Sequence, residues 1–360
     1  MSRSLGILCV CLLLLGCRHQ PWPVSMRGAM NVLGNMKMSG DVKMAGDLKA
    51  SLRQDNSASP LAAINVTAVQ GPTHARLAIV EVDGLIINKY VGGLGAMGEN
   101  PVAIFREKLD VLSRDASVRA VVLRINSPGG GVTAADIMRR DLAAFRRQSQ
   151  IPVVACIMDL GAGGGYYLAT EADAVVAHPT SIVGGVGVIL NLYNLEDTMG
   201  QFNIVPMPVK AGEKIDLASS DRPMAEDERN LLQAMADQFH QRFIDQVKQS
   251  RPQLDTAAKI FDGRVMTGEQ AQRCGLVDQV GYLDDALQLA RGLADIDHAT
   301  PVIMLRRDND RAFTPLDASP NMPQQNSLLP LRLNGLDRSS LPTFLYLWQP
   351  DPTYITAAGG

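Results

Sequence analysis

From Leu77 onward, near-continuous Val/Ile/Leu runs alternate with helical stretches: "LAIVEVDGLII", "VAIFREKLDVLSR", "VRAVVLRIN", "TAADIMRRDLAAFRRQ", "PVVACIM" and "ADAVVAH". A strand that is apolar at every residue has both faces covered, and helices between such strands supply the cover. The pattern predicts an α/β domain built of βαβ units around a largely parallel sheet. With 360 residues and 46% hydrophobic content, the chain has the material for a full core. A further helix is expected over residues 221–251, capped by Asp221, with Leu231, Met235, Phe239, Phe243 and Val247 as a core-facing i, i+4 stripe.

The chain begins with an address. "MSRSLGILCVCLLLLGC" has a basic start at Arg3, an apolar run too short to span a bilayer, and a small residue before Cys17, the layout of a secretory signal. Its "LLGC" resembles the lipobox of bacterial lipoproteins, which implies a diacylated Cys17 at the mature N-terminus and a tether on the outer side of the membrane; a plain cleaved signal or short anchor is the alternative. Cys9 and Cys11 would leave with the signal, and Cys156, inside an apolar run, reads as a buried free thiol. Glycines at Gly28, Gly34, Gly40 and Gly46 mark a period of six with apolar residues at alternate positions. That is strand alternation, serving either as a spacer or as a ribbon that pairs with other subunits. The expected division is a signal over 1–17, repeat and linker over 18–74, the α/β domain with the motifs below over 75–295, and a linker with an apolar tail over 296–360. The tail's "FLYLW" is either a strap on its own domain or a contact to a neighbour or lipid. A net charge of −3 without a basic block argues against nucleic acid, and the five histidines show no ligand spacing, so neither metal nor cofactor is expected.

Two glycine clusters carry the chemistry. "INSPGGGV" sets Gly129, Gly130 and Gly131 between a strand and a helix, where backbone N–H groups can meet an anion or oxyanion; "LGAGGGYYLAT" repeats the arrangement at Gly163, Gly164 and Gly165. "VGGLGAMGEN" lacks nucleotide-loop spacing and reads as a mobile loop.

The order "NSPGGGV", "AGGGYYLAT", "IVGGVGVI", "SSDRPMAEDER" and "FDGRVMTGEQAQRCGLVDQVGYLDDAL" resembles the signal peptide peptidase A family of serine–lysine proteases, over about residues 75–295. The resemblance implies the Clp protease/crotonase fold, a peptide or membrane-protein substrate, and a homo-oligomeric ring at the membrane. It also exposes three departures. The family's nucleophilic serine falls on Gly163, its general-base lysine on Ile215, and a further serine on Gly185. Lys214 and Lys210 stand close by as substitute bases, and Ser127 and Ser181 are the nearest alternative hydroxyls, each reading first as a turn residue. The oxyanion donors expected from Gly130 or Gly131 and from Gly164 are retained. A serine–lysine protease needs an Oγ to attack and a neutral lysine to take its proton, and glycine offers no such atom. The chain therefore reads as a catalytically impaired, peptide-binding relative of a peptidase. The alternatives are a peptidase with an unrecognised nucleophile and, third, a crotonase-like acyl-thioester enzyme, which would need a cleft carboxylate and a coenzyme absent from an exported compartment.

Overall fold

The computed structural model describes residues 30–32, 36–38, 60–67, 74–89, 99–255, 259–307, 314–317 and 344–348. Cys17, most of the glycine repeat and the loop at 91–98 lie outside them. The chain divides into two units, Met1–Leu52 and Arg53–Gly360. In the first, β1 (Met30–Val32) and β2 (Met36–Met38) pair antiparallel, Met30 opposite Met38. Part of the six-residue repeat thus folds back on itself as a hairpin.

The second unit is built on one sheet. Its strands are β3 (Ala62–Asn65), β4 (Arg76–Ile86), β5 (Val118–Gly131), β6 (Val153–Ala162), β7 (Ala174–Ala177), β8 (Ile182–Gly184), β9 (Val265–Thr267), β10 (Gln279–Val280), β11 (Val302–Arg306) and β12 (Leu345–Leu347). The main path runs β10-β7-β6-β5-β4-β11-β3, parallel throughout except for β3 against β11. The expected α/β class with a largely parallel sheet is present. Helices α1 (Pro101–Arg114), α2 (Val132–Ser149) and α3 (Gly164–Ala169) contribute to a core on one face, with Ala78, Val80 and Val82 of β4. Leu77 and Ile79 point the other way, into a second core closed by α7 (Leu283–Ala294). This alternation explains the unbroken apolar runs: both faces of each central strand are buried.

Three features depart from the expectations. The sheet draws β3 and β11 from stretches that read as linkers, so the domain extends beyond 75–295 at both ends. Strands this short give only a weak local signal; β11 is fixed by pairing with β4, and β3 forms the sheet edge by pairing with β11. Gly129–Gly131 are not a turn but the last residues of β5, which runs on past a register shift after Ile125. The long helix α5 (Glu226–Ser250) follows α4 (Glu196–Gln201) and precedes α6 (Gly268–Arg273), and its N-cap is Ala225 rather than Asp221. Pro223 disfavours helix at Arg222, and the Glu228 carboxylate accepts the Ala225 N–H at 3.1 Å. The expected stripe on α5 is buried only at its C-terminal half: Phe243 and Val247 are fully enclosed, whereas Leu231 and Met235 are exposed.

Candidate active site

β6 ends at Ala162 and α3 starts at Gly164, so Gly163 alone turns the chain from strand to helix. It does so at φ 51°, ψ −123°, a left-handed conformation that strains any residue with a side chain. A sharp strand-to-helix elbow lifts its apex residue clear of the sheet, which is how some hydrolases expose a nucleophile. Gly163 keeps the elbow without an atom to expose. Its N–H donates to Gly184 O at 3.0 Å and its carbonyl accepts from Tyr167 N–H at 2.9 Å, so the turn is fastened at both ends.

The β5 glycines face this elbow. Gly130 is pressed against β4: a Cβ there would lie 2.7 Å from the Ile86 carbonyl carbon. A Cβ on Gly164 would lie 3.4 Å from Gly130 N. The structure thus gathers Gly130, Gly163 and Gly164 at one place, with Gly131 beside them as the N-cap of α2.

That place is filled by the chain's own C-terminal segment. β12 runs antiparallel to β5, with Leu345 opposite Gly131, Tyr346 opposite Gly130 and Leu347 opposite Gly129. Val132 N–H donates to Phe344 O at 3.1 Å and Trp348 N–H to Pro128 O at 3.0 Å. On the other side, Leu345 and Ile189 exchange N–H···O bonds of 2.9 and 3.0 Å. Bonded pairs recur at every second residue of an antiparallel ladder, so Gly130 N–H faces the Tyr346 carbonyl. A Cβ on Gly163 would lie 2.7 Å from the Tyr346 carbonyl carbon and nearer still to its oxygen; one on Gly129 would lie 2.5 Å from Gly164 N and against the same oxygen. A peptide carbonyl therefore rests between the expected oxyanion donors and the apex of the elbow, where an acyl group under attack has to sit. Gly185 adjoins the same spot: its Cβ would lie 3.1 Å from Gly163 N and 3.3 Å from Trp348 Cβ.

The side chains of the inserted strand are seated as firmly as its backbone. Tyr346 is fully buried, its ring 5.1 Å from Tyr167 and 4.8 Å from Phe243, and its hydroxyl donates to Phe239 O at 2.7 Å. Burial pushes its phenol well above the usual tyrosine range. Phe344, on the same face of the strand, packs edge-on against Phe239 at 5.1 Å.

The other predicted residues lie apart from the glycine cluster or are engaged by the backbone. Ile215 is 71% exposed on the arm that joins α4 to α5. Lys210 pairs with Asp216 at 2.7 Å, and Lys214 pairs with Asp227. The Asp227 hydrogen bond raises the Lys214 pKa, the direction opposite to what a neutral general base requires. Ser127 Oγ donates to Gly84 O at 2.7 Å and accepts Gly129 N–H at 3.1 Å, while Ser181 Oγ donates to the carbonyls of Ile157 and Met158. Ser181 closes a turn, its N–H donating to His178 O at 2.9 Å, whereas Ser127 lies within β5 and ties that strand to Gly84, so the turn reading is corrected for it. Cys156 is buried and its thiol is pushed up to about 12 by burial, which keeps it protonated and unreactive. Arg222, inside the "SSDRPM" motif, was not singled out by the sequence. Its guanidinium bridges Asp216 at 3.1 Å and Glu228 at 2.7 Å, pinning the arm to the start of α5.

Residues 145–297 match the family model described as peptidase family S49. A putative protease of Methanocaldococcus jannaschii is 36% identical over 189 residues, covering 52% of this chain and 60% of that protein. A putative signal peptide peptidase of Enterococcus faecium is 27% identical over 238 residues, 66% of this chain and 69% of the relative. Protease 4 of Salmonella typhi is 33% identical over 183 residues, 51% of this chain and 29% of the relative. The chain thus spans less than two thirds of the first and third of these proteins.

Proposed function

We propose that this chain, whose residues 145–297 match peptidase family S49, binds extended peptide in the groove between Gly129–Gly131 and Ile189 without cutting it. The observation that carries this reading is Gly163 at the apex of the elbow, with a peptide carbonyl above it and no hydroxyl beneath. An oxyanion hole and a binding groove alone retain only a modest part of a protease's rate. The expected location is the outer side of a membrane, tethered through lipid on Cys17, and the ligands are exported or membrane-protein segments. Assembly into a ring would cover the arm between α4 and α5, where Phe202, Val205, Met207 and Val209 are each more than 70% exposed.

The test is a fluorophosphonate probe and a casein digest on the purified full chain. Neither labelling nor hydrolysis is expected. A labelled serine, mapped by mass spectrometry, would overturn the reading and identify the nucleophile.

A further inference from the structure

The groove has shape beyond a backbone ladder, and the shape is specific. Between Phe344 and Trp348 the inserted strand turns alternate residues to the same face, and that face is held by α3 and α5. Tyr346 enters a seat made by the rings of Tyr167 and Phe243, closed at its end by the Phe239 carbonyl that accepts the phenol hydroxyl. Two residues earlier, Phe344 packs on the Phe239 ring and borders an open cleft of about 500 Å³ where Val188, Met224 and Leu232 are joined by the polar Asn194, Arg222 and Arg229. The Phe239 carbonyl at the end of this apolar seat discriminates, because it already accepts within α5 and only a ring that carries a hydroxyl donor uses its remaining lone pair.

We propose that this groove is selective for extended peptides of the pattern aromatic-x-tyrosine, and that residues 344–348 are its resident, competing ligand. The inference rests on the peptide-binding reading above and adds the identity of the side chains read. Backbone bonds on both edges of the strand supply register, as in peptide recognition by strand addition. The two seats supply the choice. The three glycines under the strand are part of the same device: side chains at Gly129 or Gly163 would collide with the Tyr346 carbonyl, and one at Gly185 would crowd the Trp348 side chain. As the resident strand is part of the same chain, it competes at an effective concentration on the order of millimolar, so an external ligand gains access only by exceeding that or when the strand is released.

The experiment uses full-length chains carrying Leu345→Pro, which removes the N–H donated to Ile189 O, or Tyr346→Ala, which empties the seat. Folding of both is checked by circular dichroism. Binding of fluorescein-labelled Phe-Leu-Tyr-Leu-Trp, Phe-Leu-Phe-Leu-Trp, Phe-Leu-Ala-Leu-Trp and an alternating Leu-Ala peptide is followed by anisotropy. The tyrosyl peptide should bind each variant at least tenfold more tightly than it binds wild type. It should exceed the phenylalanyl peptide about fivefold, the size of one neutral hydrogen bond, and the alanyl peptide by far more. Equal binding of all four peptides would overturn the tyrosine seat while leaving peptide binding standing. Binding of none by either folded variant would overturn both. Wild type binding as tightly as the variants would show that residues 344–348 do not compete.

Discussion

At Gly163 one missing side chain has two consequences that reinforce each other. It removes the atom that would attack, and it clears the space in which the Tyr346 carbonyl rests. Gly163→Ser should therefore not restore a protease in the intact chain. A serine at φ 51° is strained by about 1–3 kcal/mol, and its Cβ would press on the strand above. The expected outcome is a melting temperature lower by several degrees, faster amide exchange at Leu345, and no casein hydrolysis. Adding Ile215→Lys should leave hydrolysis absent, because an ammonium at a position 71% exposed in this chain is solvated and stays charged. Hydrolysis by the double variant would mean that another copy covers position 215 in the assembly. The glycine cluster itself was readable from sequence, and at Gly129 and Gly130 the structure gives the reason: a Cβ at either would lie within 3 Å of neighbouring backbone. What lies on top of it was not readable, because "FLYLW" carries no local mark of the strand edge it will pair with.

Among the elements, β4, β5, β11 and α1 are joined through one buried group of charges. Glu81 of β4 accepts from Arg124 of β5 at 2.6 Å and from Arg306 of β11, and Lys108 of α1 lies 3.5 Å away. Burial opposes ionisation of Glu81, but the hydrogen bond from Arg306 and the charges of Lys108 and Arg124 outweigh it and hold the carboxyl below the usual range. Asp83 is less well served. Its nearest cation, Arg124, is 3.7 Å away, and burial pushes its carboxyl up to about 6. A carboxyl whose folded pKa is raised favours the folded state most when protonated, so this contribution declines as pH rises from about 4 to about 6 and is lost above that, to the extent of about 3 kcal/mol. Asp83→Asn should accordingly gain stability over wild type progressively across that window and hold the gain at pH 7–8, as read by calorimetry. A difference in melting temperature that does not vary with pH would refute it. The same cluster explains why β11 was missed in sequence. "VIMLR" sits in a segment of linker composition, and what makes it a strand is the edge of β4 together with a buried carboxylate for Arg306.

For the whole molecule, the described residues contain no helix long and apolar enough to cross a membrane, and the lipid proposed on Cys17 is tested separately. Cys17→Ser should move the protein from the membrane fraction to the soluble one, since stable anchoring requires acyl chains that one short apolar run does not replace. Unchanged fractionation would refute the lipid tether. The exposed first half of α5 and the arm beside it give the released protein a surface for self-association, to be followed by sedimentation. Finally, the two walls of the groove, Pro128–Val132 and Ile189, precede the strand that fills it by more than 150 positions in the chain. Synthesis proceeds from the N-terminus at roughly 5–20 residues per second. The seat itself is complete at Phe243, 103 positions before Tyr346, so for about 5–20 s in the life of every copy it exists before its own occupant has been made and stands open to another peptide.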